Sequence, residues 1–414
     1  MMGQFPATVA DYRERAKRRL PGFLFDYIDG GAGEEQTLRA NTSAWQQVLL
    51  RQRVLVNVDQ IETDARVAGQ TLAMPLVLAP IGLGGMSARR GEVQAVRAAN
   101  ARGVPFTLST VGICGIEEVA AAGAMLNWFQ LYMLRDRSVV DAILRRVAAS
   151  GVQTLVFTVD LPLAGSRHRD VRNGVATPGL GPKLLRVSQV LRRPRWIVDV
   201  ALRGKPLSFA NLAGHGPAAG DFEAFRSWID AQFDPTVTWD DIARLRERWP
   251  GKLILKGILD VEDAEQAAKL GADGLIVSNH GGRQLDGVRA TALALPDIAR
   301  TCGSKLDVLV DGGVRSGIDV FRALALGAKA VMIGRPWVFA LAAGGESALH
   351  TLLGRWQKEL QVAMALTGVR RLADIGPACL DTSVQAQIGQ PKEPLNKFRG
   401  DAGHGWPAQD QARK

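Results

Sequence analysis

The chain has 414 residues, 47% hydrophobic and 22% charged, enough to bury a large core in an ordinary globular protein. With 51 basic against 41 acidic residues the net charge is +10, which favours anionic ligands or an anionic surface; no helix-turn-helix, RNA-recognition or zinc-finger pattern accompanies it, which sets nucleic acid aside. The scattered Cys114, Cys302 and Cys379 indicate neither a disulfide framework nor a zinc site, charges at Asp11, Arg13 and Glu14 fall where a signal peptide would need an apolar core, so secretion is not expected, and no run of about 18 apolar residues is present to span a bilayer.

The chain opens with a helical stretch from residue 7 that breaks at Leu20-Pro21-Gly22 and resumes over Phe23-Leu24-Phe25-Asp26-Tyr27-Ile28. Gly30 and Gly31 stop it and leave Tyr27 near its end. From there to Ala73 the pattern is irregular, apart from a basic, strand-like run over 48–53. At Met74 a rhythm begins. Apolar runs predict strands over 75–80, 104–109, 127–132 and 154–160, alternating with helices over 91–103, 116–123 and 136–151.

After an interruption, Thr238 opens a helix with a capping-box start. Strands follow over 252–256, 274–278, 306–311 and 330–334, with helices over 260–271, 291–302 and 316–327 between them. Eight short apolar strands alternating with helices predict an α/β fold, a closed (β/α)8 TIM barrel with N-terminal helices. An open doubly wound sheet is the alternative. Beyond Trp337 the chain reads as helical to Ala373. Residues 1–384 are expected to form one domain, and the polar residues 385–414 a flexible tail.

The interruption, 162–235, is a long insertion after the fourth strand, well beyond the usual βα loop. Within it, 181–205 carries Lys183, Arg186, Arg192, Arg193, Arg195, Arg203 and Lys205 against the single acid Asp199, interleaved with Leu184, Leu185, Val187, Leu191 and Trp196. That mixture reads as an anchor on an anionic membrane surface. A helix packed on the barrel rim with solvated charges is the alternative.

Barrel chemistry collects at the C-terminal strand ends. Here those ends offer Ala79-Pro80-Ile81-Gly82, Ser109, Gln130, Tyr132, Thr158, Asp160, Lys256, and Ser278 with His280 and Arg283. The last two strands end in Asp311-Gly312-Gly313 with Arg315, and in Gly334-Arg335. Their glycines let backbone N–H groups approach an anion, so a phosphorylated cofactor is expected there. Lys256 suits negative charge on a reduced ring. Asp160 is placed to orient His280 and favour its protonated form. Arg167 and Arg283, with the hydroxyls of Tyr27 and Tyr132, would clamp the carboxylate of a small acid. No metal site is indicated.

The motifs Ser278-Asn279-His280-Gly281-Gly282-Arg283-Gln284, Phe129-Gln130-Leu131-Tyr132, Thr158-Val159-Asp160 and Asp311-Gly312-Gly313-Val314-Arg315 closely resemble the FMN-dependent 2-hydroxy-acid dehydrogenase and oxidase family, across residues 7–375. The stretches Phe23-Leu24-Phe25-Asp26-Tyr27-Ile28, Leu108-Ser109-Thr110-Val111 and Gly257-Ile258-Leu259-Asp260 are most similar to its bacterial, membrane-associated respiratory L-lactate dehydrogenases.

The resemblance implies FMN held by Ala79, Pro80, Ile81, Gly82, Ser109, Gln130, Thr158, Lys256 and Ser278, with its phosphate at Asp311, Gly312, Gly313, Arg315, Gly334 and Arg335. It implies His280 as the base, Asp160 as its partner, Lys256 as stabiliser of the reduced ring, and Tyr27, Tyr132, Arg167 and Arg283 as the substrate set. The implied reaction is oxidation of an L-2-hydroxy acid, L-lactate to pyruvate, with electrons passed to a quinone or other respiratory acceptor. A peripheral homo-oligomer on the cytoplasmic face of the cell membrane is expected. Small residues at Gly82 and Val111 leave room for a larger acid such as mandelate. An oxygen-using oxidase and a non-catalytic phosphate-binding barrel at a membrane are the remaining readings.

Overall fold

Short apolar runs flanked by glycine and polar residues become eight parallel strands: β1 (Leu76–Leu78), β2 (Phe106–Ser109), β3 (Asn127–Leu131), β4 (Thr154–Thr158), β5 (Lys252–Ile258), β6 (Gly274–Val277), β7 (Asp307–Val310) and β8 (Ala330–Ile333). They pair in sequence order and β8 closes onto β1, which makes the predicted (β/α)8 barrel. The computed structural model describes residues 5–123, 127–175, 177, 179–205, 207–216 and 222–389. Among them, no helix is long and apolar enough to cross a membrane.

Successive side chains on a strand face opposite ways, so each strand feeds two cores. Val77, Trp128, Val156, Ile254, Ile276, Leu309 and Met332 fill the barrel interior, while their neighbours Leu155, Phe157, Leu275, Val277, Val308 and Val310 pack outward. A hairpin, Ala65–Val67 against Gln70–Leu72, plugs the end where the strands begin. Its Val67 and Leu72 join the interior cluster, and Trp128 Nε1 donates to Gln70 Oε1 at 2.7 Å. With that end closed, the opposite mouth is left for chemistry.

Helix α1 (Val9–Arg19) begins with a Thr8–Asp11 capping box, and α2 (Gly22–Asp29) follows the Pro21 break, as the sequence predicts. The expected irregular stretch to Ala73 instead contains a helix, α3 (Gln36–Gln46). Its polar Gln, Thr, Asn and Ser residues give little apolar periodicity to read. The strand-like run over 48–53 forms only an isolated bridge between Leu50 and Leu380. After β8 a helix runs over Arg335–Thr367, with non-helical backbone at Gly344 and Gly345. Trp337 near its start is fully buried, meets Phe106 edge-on at 5.7 Å and donates to Ala79 O at 3.0 Å, which fixes the end of β1. The chain continues as a helix over Thr382–Gly389; the remainder of the expected tail lies outside the described residues.

The insertion contains helices over His168–Arg172, Leu180–Leu191 and Phe222–Gln232. Helix Leu180–Leu191 buries no residue, and Leu180, Leu184, Val187 and Leu191 recur on one face at helical spacing, all exposed. Lys183, Arg192, Arg195 and Arg203 are exposed beside that stripe. Arg193, counted with them from the sequence, instead donates from Nε to Leu20 O at 2.8 Å and caps the end of α1.

Candidate active site

β5 carries a register shift between Lys256 and Ile258, and Gly257 within it has φ +114°. A Cβ there would lie 2.6 Å from Asp160 Cβ, so glycine is what lets Asp160 seat against β5. Asp160 Oδ1 is 2.8 Å from His280 Nδ1. His280 itself is left-handed at φ +56°, a strained state for a residue other than glycine, and Gly281 and Gly282 continue it. The loop is held from inside: His280 N donates to Ser278 Oγ at 3.1 Å, and Asn279 exchanges two 2.8 Å hydrogen bonds with Asn41 of α3.

Burial pushes the His280 pKa below its ordinary value, and the positive Lys256 and Arg283 add to this, outweighing the upward pull of Asp160. Asp160 does favour the imidazolium, as expected, but burial and the two cations outweigh it, and the ring is biased neutral. Burial opposes ionisation of Asp160, but His280 and Lys256 hold its pKa below the usual carboxylate value. An ionised Asp160 accepts from Nδ1–H, which leaves a lone pair on Nε2.

Lys256 is buried, donates to Ser278 Oγ at 3.0 Å and lies 3.3 Å from Asp311 Oδ2. Burial works against its charge, yet Asp311 and Asp160 raise its pKa, so it stays a cation. Gln130 accepts from Ser109 Oγ at 3.0 Å, but its Nε2 is buried without a partner, as is Asp311 Oδ1. Buried polar atoms are seldom left unpaired. A spare amide donor, a buried cation and the successive left-handed Gly312 and Gly313 (φ +86° and +83°) fit a polar, anionic cofactor such as FMN.

The Arg283 guanidinium lies 4.8 Å from the centre of the Tyr27 ring, and that of Arg167 5.9 Å. Burial, and then the charge of Arg167, lower the Arg283 pKa to about 10. The nearest acid to Arg167 is Asp170 at 3.7 Å. Two such cations are relieved by an incoming carboxylate. Tyr132 is buried edge-on against Phe233 at 5.2 Å, and burial raises its pKa.

Arg335 does something the sequence did not suggest. Its Nε donates to Ile28 O at 2.9 Å, Nη1 to Gly281 O at 2.9 Å and Nη2 to Gly30 O at 2.8 Å. Arg283 Nη1 adds a bond to Gly30 O at 2.9 Å. Two arginines of the barrel mouth thus cap the carbonyl end of α2 and bring Tyr27 over the site.

These groups border one cavity of ≈ 380 Å³. Of the residues chosen from sequence, Tyr27, Tyr132, Arg167, His280, Arg283, Lys256, Ala79, Pro80, Ile81, Gly82, Asp311, Gly312, Gly313, Arg315, Gly334 and Arg335 reach its wall. Asp160, Ser109, Gln130, Ser278 and Thr158 do not. Asp160 stands behind His280 and Ser278 behind Lys256. Thr158 is in register with Lys256 and borders a second cavity of ≈ 300 Å³. The sequence missed Phe209, Ile229 and Phe233, which the insertion sends into the wall. Scattered apolar residues in an aperiodic stretch were their only signal. At Gly82 a Cβ would lie 2.9 Å from Val111 Cγ2 and 3.0 Å from the Tyr27 hydroxyl, so this corner is closely packed.

The family model described as FMN-dependent dehydrogenase matches residues 16–382. The L-lactate dehydrogenase of Stenotrophomonas maltophilia (strain R551-3) is 52% identical over 366 residues, 88% of this chain and 96% of that protein. The L-lactate dehydrogenase of Yersinia pestis (strain Pestoides F) is 50% identical over 373 residues, 90% of this chain and 97% of that protein. Among solved structures, the monotopic membrane protein (S)-mandelate dehydrogenase is similar with a TM-score of 0.85 at 33% identity, covering 91% of this chain and 100% of that one. A match that runs from α1 to the helix after Leu380, on a barrel mouth suited to a flavin phosphate and a carboxylate, means that the chain belongs to the FMN-dependent dehydrogenases, with FMN as its cofactor.

Proposed function

We propose that the chain oxidises L-lactate to pyruvate at the barrel mouth, with His280 as the base. The observation that carries this reading is the 2.8 Å His280–Asp160 contact beside the stacked Arg167, Tyr27 and Arg283, on a chain at least 50% identical to proteins named L-lactate dehydrogenase. The substrate carboxylate binds Arg167 and Arg283, assisted by the hydroxyls of Tyr27 and Tyr132. His280 Nε2 takes a proton from the substrate, and Asp160 stabilises the imidazolium that forms. Lys256 stabilises negative charge that develops on the cofactor ring.

Ala79 to Gly82 would hold the ring together with Ser109 and Gln130, a hydrogen-bonded pair with one spare amide donor; Thr158 and Ser278 would support it from behind through Lys256, and Asp311 to Gly313, Arg315, Gly334 and Arg335 would hold the phosphate. Bound FMN would supply the acceptor for the electron pair, and the exposed apolar and basic helix favours a membrane quinone as the class of final oxidant. Residues 181–205 then act as a peripheral anchor on anionic lipid at the cytoplasmic face. An exposed Val54-Leu55-Val56 run, with Leu55 fully solvated, supports a homo-oligomer.

A second reading, a bulkier substrate such as mandelate, is favoured by the aromatic Phe209 and Phe233 in the cavity wall, although the corner at Gly82 is too closely packed to supply the extra room. The test is anaerobic mixing of the FMN-loaded protein with L-lactate, D-lactate, (S)-mandelate and (R)-mandelate while the flavin absorbance is followed. Bleaching by L-lactate ahead of the others is expected. Preference for (S)-mandelate would move the assignment to the second reading, and no bleaching by any acid would refute both.

A further inference from the structure

We propose that Asn211, in the insertion, is a positioning residue: it fixes the segment 109–116, and through it Ser109 and Val111, against the bound cofactor and substrate. This rests on the reading above, in which Ser109 meets the flavin.

Asn211 lies in the turn Ala210–Leu212 and has no exposed surface. Its Nδ2 donates to Ser109 O at 3.0 Å, and its Oδ1 accepts from Ile116 N at 2.9 Å. One buried amide thus spans both ends of a segment without regular structure, satisfying the strand-end carbonyl and the first backbone donor of helix Ile116–Ala122. The Asn211 carbonyl accepts from Arg146 Nη1 at 2.9 Å, and Arg146 also holds Glu117. The amide is therefore anchored from the far side as well.

Between these ends, Val111 N approaches Ser109 Oγ at 3.3 Å, and Val111 O accepts from Leu83 N at 3.2 Å, which joins the segment to the cavity-lining stretch 81–83. Val111 packs closely beside Gly82 and the Tyr27 hydroxyl, so a shift of a few tenths of an ångström is felt at the substrate. Two residues before Asn211, Phe209 itself borders the cavity. Between the exposed helix and Asn211, the buried Trp196 donates to Met86 O at 2.8 Å. The insertion thus sends one buried polar side chain to each of two loops that contribute to the cavity wall. An attachment serving only as an anchor needs neither.

The experiment compares FMN-loaded Asn211→Asp and Asn211→Ala with Ser109→Ala, reading both the bound-flavin absorption band and steady-state kinetics with L-lactate. Asn211→Asp has nearly the same volume, retains an acceptor for Ile116 N and loses the donor to Ser109 O. It keeps the test sound if the alanine variant fails to fold. The expected result for Asn211→Asp is a displaced flavin band and a KM raised about ten-fold, with kcat within about three-fold. Asn211→Ala is expected to exceed it in KM, and Ser109→Ala to displace the band too. A parental band and KM in the Asn211 variants, with or without a lowered melting temperature, would overturn the assignment while a displaced band in Ser109→Ala left the site reading standing. A parental band in Ser109→Ala would remove Ser109 from the cofactor wall, and the role of Asn211 with it.

Discussion

His280 keeps a neutral ring because burial and two neighbouring cations outweigh a carboxylate 2.8 Å away. A base must be unprotonated to act, so kcat/KM is expected to be flat from pH 6.5 up to the loss of the Arg283 charge at about 10 and to fall below 6.5 on an acid limb set by a pKa under the ordinary 6.5. Replacing Asp160 by Asn removes the one strong upward influence, so the limb moves to still lower pH. The same change loses the acceptor that fixes the Nδ1–H tautomer, and kcat is expected to drop about 10²- to 10⁴-fold. Paired pH–rate profiles of parent and variant check both; an unmoved limb would count against the Asp160 contact. Residues such as His280, Asp160 and Arg283 were legible because they stand where apolar strands stop. Asn211 and Phe209 were not: they lie in an aperiodic stretch and reach the site only through tertiary packing.

Helix α2 is tied down by charge as well as by its arginine caps. Arg169 donates to Asp29 at 2.7 Å and Glu35 at 2.6 Å, and Arg13 reaches Asp29 at 2.6 Å. Burial alone would raise both acids, but Arg13 and Arg169 for Asp29, and Arg169 for Glu35, bring their pKa values below the ordinary range. Depressed carboxylates contribute stability at neutral pH that is lost only as pH falls below their ordinary range, through the lowered values. Arg169→Ala is expected to cost about 2 kcal/mol, less than a fully buried pair because Arg13 still holds Asp29, and to weaken the acid dependence. Urea titrations at pH 7 and at about pH 2.5, below the ordinary range of both acids, read this directly, and identical losses at the two pH values would contradict it.

Farther along, helix Leu180–Leu191 has an apolar stripe that none of the described residues buries. Neutralising Lys183, Arg192, Arg195 and Arg203 together is expected to reduce co-sedimentation with anionic vesicles at least ten-fold, given roughly 1 kcal/mol per basic residue near the surface. Unchanged sedimentation would remove this helix from the membrane. Arg193 is left out because its guanidinium caps α1. Amphipathic helices of this kind announce themselves in sequence, whereas α3 does not. What fixes α3 is the Asn41–Asn279 pair across the barrel mouth.

The whole molecule is a barrel sealed at one end by a hairpin and walled at the other by elements far apart in sequence: α2, the insertion and the loops after the strands. The eight strands were readable because buried parallel strands are nearly continuous apolar runs bounded by turn residues. The closure of α2 by Arg335 and Arg283 was not, since a strand-end arginine reads equally as an anion site and as a helix cap. In the reaction proposed above, all these parts converge on a single event, removal of a proton by one imidazole while a carboxylate is held beside it. The measurement that tests this most directly is rapid anaerobic mixing of L-lactate with the FMN-loaded parent and with FMN-loaded His280→Gln, following loss of flavin absorbance. Bleaching at least about 10³-fold slower in the variant, at equal flavin content, is the expected result. Bleaching at the parental rate would contradict it.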